Sequence, residues 1–172
     1  DTQETAVAWK HALLSQEAPS ALALTRQTLK ELPKSKAQNA NINKGGYIVF
    51  GSSNKPDGII IASGSEVSAA LQAAMELKDK DLDIRVISMP CQEVYERQST
   101  AYKNKCIPKN FDNILAVESG KGQSWFKYIG KEGSMITMES FGLSGTGNDV
   151  MRYFGFTVTN IKKQMQKLIK RK

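Results

Sequence analysis

Three short stretches carry residue types that could do chemistry. The first, "IIIASGSE" at 59–66, runs from isoleucines through a small, glycine-containing turn into a helical pattern. A strand feeding a helix through such a turn can cradle phosphate, because the free amides of a helix start bind anions. The stretch lacks the lysine of a P-loop and the spacing of a dinucleotide-binding loop. It therefore reads as a corner, in which Gly64 supplies backbone freedom, Ser63 or Ser65 caps the helix, and Glu66 lies favourably in its first turn.

The second stretch is "ALALTRQ" at 21–27, where Arg26 follows directly on an apolar run that reads as a short buried strand. An arginine so placed emerges at the carboxyl end of a sheet, where open α/β folds bind ligands. Its planar guanidinium grips a phosphate through two hydrogen bonds. Residue type alone favours the plainer alternative, a surface arginine paired with a neighbouring acid.

The third group is scattered. Cys91 follows Pro90 at an expected helix start, where a helix dipole lowers a thiol's pKa, but it reads as an imperfect cap. Glu118 ends the strand-like "ILAVE", poised for a cleft, and Trp125, Phe126 and Tyr128 follow it as a cluster expected to pack a helix on the sheet. The single histidine, His11, lies on an apolar-patterned helix. With only Cys91 and Cys106 besides, no zinc-type spacing exists, and the expectation is no metal site.

The elements that must position these residues are legible from hydrophobic period. Residues 4–15 place Ala6, Val7, Trp9, Ala12, Leu13 and Leu14 at helical spacing, with Thr2 or Thr5 as the cap. From Gln27 to Lys44 the chain is polar and proline-interrupted, which reads as an interdomain linker. Strands are expected at 46–50, 58–62, 83–88, 113–118 and 134–138. The turn-rich "GSSNKPDG" suggests a hairpin between the first two, and helical crossovers make the others parallel. Helical stripes recur at Val67, Ala70, Leu71, Ala74 and Met75, and at Val158, Ile161, Met165 and Leu168, the latter capped by Thr157. The expected architecture is a three-layer αβα domain with a mixed, mostly parallel five-stranded sheet. A helix–strand remnant of another α/β domain precedes it. The domain boundary falls between residues 1–44 and 45–172.

With 172 residues and 40% hydrophobic content, the chain can bury a full core. No run approaches the roughly 18 apolar residues of a membrane span. Net charge is +7, and six of those charges lie in the final "IKKQMQKLIKRK", which has no acid and no interleaved aromatics. That tail reads as a solvated helix face whose cations complement the helix dipole, and neither nucleic acid nor membrane is an expected partner. Two cysteines without an export signal point to reduced thiols and a cytoplasmic setting. Opening on Asp1 within a helical pattern, the sequence reads as the carboxyl-terminal piece of something longer.

Several strings go beyond "α/β". "AVAWKHALL", "ALALTRQTL", "GGYIVF", "IASGSEVSAALQAA", "RVISMPCQEVYERQSTAYK", "AVESG", "WFKYIG" and "FGFTVTNI" occur in the order and approximate spacing of the carboxyl-terminal third of transketolases. The resemblance covers nearly the whole chain, and "GSEV" with "VISMP" and "ERQ" is specific to transketolase proper. It departs after "ESFG", where relatives often carry a Ser-Ala-Pro turn and this chain reads "LSGTGNDVMRY". At Cys91, relatives tend to carry Ser or Thr.

The resemblance implies that residues 1 to about 30 close a pyrimidine-binding domain and that residues from about 46 form the family's carboxyl-terminal domain. It implies a parent enzyme, dependent on thiamin diphosphate and Mg²⁺, that moves a two-carbon ketol unit between ketose and aldose phosphates as a homodimer in the pentose phosphate pathway. Arg26 matches the arginine that holds the sugar's terminal phosphate. The metal ligands, the activating glutamate and the substrate histidines of the family lie upstream of the match. No catalytic, cofactor or metal residue is therefore expected in this chain, which alone should be inactive. A rival expectation is a non-catalytic module for dimer assembly or ligand binding.

Overall fold

The computed structural model describes residues 1–51 and 55–170. Five strands form one mixed sheet in the order β1-β3-β2-β4-β5: β1 (Tyr47–Phe50), β2 (Gly58–Ala62), β3 (Ile84–Ser88), β4 (Ile114–Glu118) and β5 (Ser134–Thr137). The pairs β2–β3, β2–β4 and β4–β5 are parallel, and β1 runs antiparallel to β3 at one edge. All five strands fall within a residue of the sequence expectation.

Side-chain alternation divides the core between two faces, as a sheet covered on both sides requires. Ile60, Ala62, Val86, Leu115 and Val117 face helices α3 (Glu66–Lys78) and α8 (Val158–Ile169). Ile59, Ile61, Ile87, Ile114 and Ala116 face the opposite layer. That layer holds α4 (Gln92–Glu96), α5 (Thr100–Cys106) and α6 (Phe126–Ile129), which contribute Tyr95, Cys106, Tyr128 and Ile129. This double coverage explains why β2 reads as an unbroken apolar run. Thr157 caps α8 as expected, its hydroxyl accepting from the Asn160 amide at 3.2 Å. Ile161, Met165 and Leu168 are buried, while Lys162 turns to Glu76 of α3 in an ion pair. Arg171 and Lys172 of the basic tail lie outside the described residues.

Three expectations need correction. The hairpin does not form: β1 pairs with β3, which lies between β1 and β2. The antiparallel edge exists, but turn composition cannot distinguish a tight reversal from a connection stepping over a strand; residues 52–54 of that turn lie outside the described residues. The run at 21–25 forms no strand and is irregular, with Leu24 exposed. A strand needs a paired neighbour, and the sheet supplies none there. Helix α1 (Thr2–Leu14) is present, but Trp9, Leu13 and Leu14 are exposed and the buried member is Glu4. Its cap is Asp1 rather than a threonine, because Asp1 and Glu4 complete a reciprocal capping box.

The polar stretch before the sheet is more ordered than a plain tether. Ser35 and Gln38 form a second capping box for α2 (Lys36–Asn41), which runs through a 3₁₀ turn, Ile42–Lys44, to Gly45. At Gly45 φ is +77°, and a Cβ would lie 2.4 Å from the Cys91 carbonyl oxygen, so only glycine fits. Leu32 and Ile42 are buried in the first core face.

One polar cluster fastens this leading segment to the sheet. Glu4 Oε1 accepts from Tyr47 Oη at 2.8 Å and from Ser88 Oγ at 2.5 Å, while its Oε2 accepts from the Asp1 nitrogen at 3.2 Å. Asp1 in turn accepts from the Leu32 amide at 3.1 Å and pairs with buried Lys34. Removing one partner of such a buried network strands the others without an acceptor. Glu4→Ala is expected to lower unfolding free energy by roughly 3 kcal/mol, with Glu4→Gln costing less because its amide oxygen still accepts one hydroxyl. Urea unfolding curves of the two variants would refute this if they overlay the wild type.

Candidate functional site

Two places are candidates. The first follows from topology. From β2 the chain steps to β3 on one side and then crosses to β4 on the other. The crevice beyond the carboxyl ends of β2 and β4 is thus the switch point at which open sheets bind ligands. Ser63 follows β2 and Glu118 ends β4, so both stand at that crevice.

The structure fills it with the protein's own groups. Ser63 Oγ donates to Glu118 Oε2 at 2.9 Å, and the Gly120 amide donates to Glu118 Oε1 at 2.9 Å. Ser65 Oγ donates to Glu66 Oε1 at 2.7 Å. Neither serine caps α3, contrary to the sequence expectation. Ser65 has αR torsions, φ −64° and ψ −27°, whereas a capping side chain needs an extended backbone to reach the helix amides. Gly64, at φ +52°, turns the chain with open space on its Cβ side, as expected of a corner. Two carboxylates at the mouth, each already using a serine hydroxyl, oppose a phosphate there.

Glu66 is buried, and burial is the main reason its carboxyl titrates above the ordinary value; the Glu118 charge pushes the same way and the Ser65 hydrogen bond opposes. As pH climbs above that ordinary value, the unfolded chain releases the proton before the folded one does. The folded state then binds more protons, and stability falls with pH. Glu66→Gln should remove that slope, raising the urea midpoint at alkaline pH with a gain that shrinks toward the ordinary carboxylate value of 4.5. A pH-independent difference between variant and wild type would count against it.

The second candidate is the Arg26 turn. Arg26 is exposed and makes no hydrogen bond or ion pair among the described residues. The plainer alternative, a surface arginine with an acid partner, is not what the structure contains. The turn is closed by the Gln27 amide donating to Thr25 Oγ1 at 3.1 Å. Gln27 then lies beside Gly147, the first residue of α7 (Gly147–Tyr153), a neighbour that sequence reading missed. Its only signal was the departure from the relatives' Ser-Ala-Pro turn.

The other sequence candidates divide between packing and exposed surface. Cys91 precedes α4 without a side-chain cap bond, and burial pushes its thiol up rather than down, so it is no activated nucleophile. Trp125 and Tyr128 are buried in the second core face, their ring centroids 6.0 Å apart, and Tyr128 meets Tyr95 edge-on at 5.9 Å. Phe126 points outward and is exposed. His11 is exposed on α1. Among the described residues no group of three or more His, Cys, Asp or Glu is arranged to hold a metal.

A mixed, mostly parallel sheet between two helical layers, its switch point closed by carboxylates and preceded by a segment that displays Arg26, defines an α/β protein. Comparison with known proteins narrows the class. The family model of the transketolase-like TK C-terminal domain matches residues 45–157. Transketolase 1 of Vibrio vulnificus strain YJ016 is 40% identical over 169 residues, 98% of this chain and 26% of that protein. The Bacillus subtilis transketolase is 40% identical over 171 residues, 98% of this chain and 26% of its own length. A solved Pichia stipitis transketolase in complex with sedoheptulose-7-phosphate superposes with a TM-score of 0.89 at 34% identity, covering 99% of this chain and 24% of that one. The chain belongs to the transketolase family, and it spans about a quarter of the length of these relatives.

Proposed function

We propose that this chain is the carboxyl-terminal portion of a thiamin diphosphate- and Mg²⁺-dependent enzyme that transfers a two-carbon ketol unit from a ketose phosphate to an aldose phosphate in the pentose phosphate pathway, and that Arg26 holds the sugar's terminal phosphate. The observation that carries this reading is the Arg26 guanidinium, exposed and without a hydrogen bond or ion pair among the described residues. It occurs in a chain aligned over 98% of its length with transketolases. A planar fork of that kind suits a phosphate monoester, and the sedoheptulose-7-phosphate held by the Pichia relative is one.

The residues present do not fit the metal, since the described part of the chain offers no cluster of ligands for it. In this reading the cofactor and the metal are held by the remainder of the parent. This chain's share is binding: a grip on a remote phosphate places the reacting carbon and so lowers the barrier at a distance. Residues 1–44 close the preceding domain, and 45–172 form the carboxyl-terminal one. The exposed Trp9, Leu13, Leu14 and Leu24 support this division, because they are the apolar surface a preceding domain would cover. The parent is a cytoplasmic homodimer.

A second reading, a non-catalytic assembly module, draws support from Phe141, Leu143 and Tyr153, exposed on and around the loop leading to α7. Sedimentation of the isolated chain separates the two, a tight dimer favouring assembly and a monomer rejecting it.

In the complete enzyme, Arg26→Ala is expected to raise KM for an aldose phosphate by about 10- to 100-fold, as befits loss of a charge-assisted pair of 1.5–3 kcal/mol, with little change for the same aldose lacking phosphate. Equal effects on both substrates would remove the assigned role. The isolated chain is expected to show no ketol transfer, and turnover by it would overturn the assignment of catalysis to the rest of the parent.

A further inference from the structure

Arg26 makes no hydrogen bond or ion pair among the described residues, so its aim must come from its neighbours. On one side, Thr25 Oγ1 accepts from the Gln27 amide, wrapping the backbone around Arg26. On the other, the Gln27 side chain rests against Gly147: a Cβ built there would lie 3.3 Å from Gln27 Cδ and 3.4 Å from Cγ and Oε1. The loop ahead of α7 is itself anchored, since Thr146 caps the helix, accepting from the Asp149 amide at 3.4 Å and donating to the Asp149 carboxylate at 2.6 Å. A capped turn of the second domain thus forms a backstop for the residue beside the guanidinium.

We propose that the Gly145–Gly147 turn and Gln27 form a positioning pair for Arg26, so that the carboxyl-terminal domain sets how tightly the enzyme holds the phosphate end of its sugar. The proposal rests on the assignment of Arg26 to phosphate. Gly147 has no torsional need to be glycine, for its φ lies outside the left-handed range, and alanine at the first position of a helix is otherwise favourable. What alanine changes is the space: contacts of 3.3–3.4 Å oblige Gln27 to give by a few tenths of an ångström. Gly142, in the same loop, serves as control, because its Cβ would meet only Met138 Cε, at an ordinary 3.8 Å.

The test uses the complete enzyme, assayed with an aldose phosphate and with the same aldose lacking phosphate. Since misplacement by a full ångström costs about 100-fold, Gly147→Ala is expected to raise KM for the phosphorylated substrate about three-fold. Its kcat, its KM for the unphosphorylated aldose and its melting temperature should stay at or above wild-type performance, and Gly142→Ala should match wild type throughout. Gln27→Asn, which withdraws the amide from Gly147 without altering the loop, should act in the same direction. In the Gln27→Ala background, Gly147→Ala should add nothing, because the contact it perturbs is gone. If Gly147→Ala and Gln27→Asn leave the ratio of the two KM values unchanged while Arg26→Ala alters it, the positioning role is refuted and the Arg26 assignment stands. If Arg26→Ala also leaves the ratio unchanged, both fall.

Discussion

The buried carboxylate of Glu4 is the constraint on which the arrangement depends. It accepts from Tyr47 on β1 and Ser88 on β3, so one side chain of α1 is bonded to two strands of the sheet. A charged group out of water is tolerated only when its lone pairs are satisfied. That condition leaves α1 one angle of approach. The orientation of α1 then governs where the following segment leaves it, and through that segment the site of Arg26. The same interaction explains why α1 can carry Trp9, Leu13 and Leu14 outward: its attachment combines the polar Glu4 bonds with Val7 packed against the core.

The sheet illustrates how period and coverage make strands legible. Ile59, Ile60 and Ile61 face alternate layers that are both apolar, so a continuous hydrophobic run was the right signature for a central parallel strand. What could not be read was pairing, because β1 and β2 are neighbours in sequence and strangers in the sheet. Nor could burial of α1 be read, since hydrophobic spacing reports a face without saying what covers it. The strand expected at 21–25 failed for the same reason: an apolar run becomes a strand only beside a partner.

The candidate site was legible in one residue and obscure in its surroundings. Arg26 stood out through the resemblance of its string to the family's Arg-Gln, whereas residue type alone favoured a surface arginine paired with an acid. Gly147 did not, because a glycine 120 positions away in an irregular loop carries no sign of its contact with Gln27. At the switch point the sequence marked the corner correctly but not the use of its serines, whose hydroxyls serve Glu118 and Glu66 instead of helix amides. Carboxylates there convert the standard ligand crevice of an open sheet into an occupied one.

The sequence separation of 84 positions from Glu4 to Ser88 carries a consequence for biogenesis. During synthesis α1 leaves the ribosome before β3 exists, and until then the Glu4 carboxylate lacks the Ser88 hydroxyl and its network stays incomplete. The β2–α3–β3 unit can nucleate on its own local contacts, whereas the closure of α1 onto it spans a long loop and comes late.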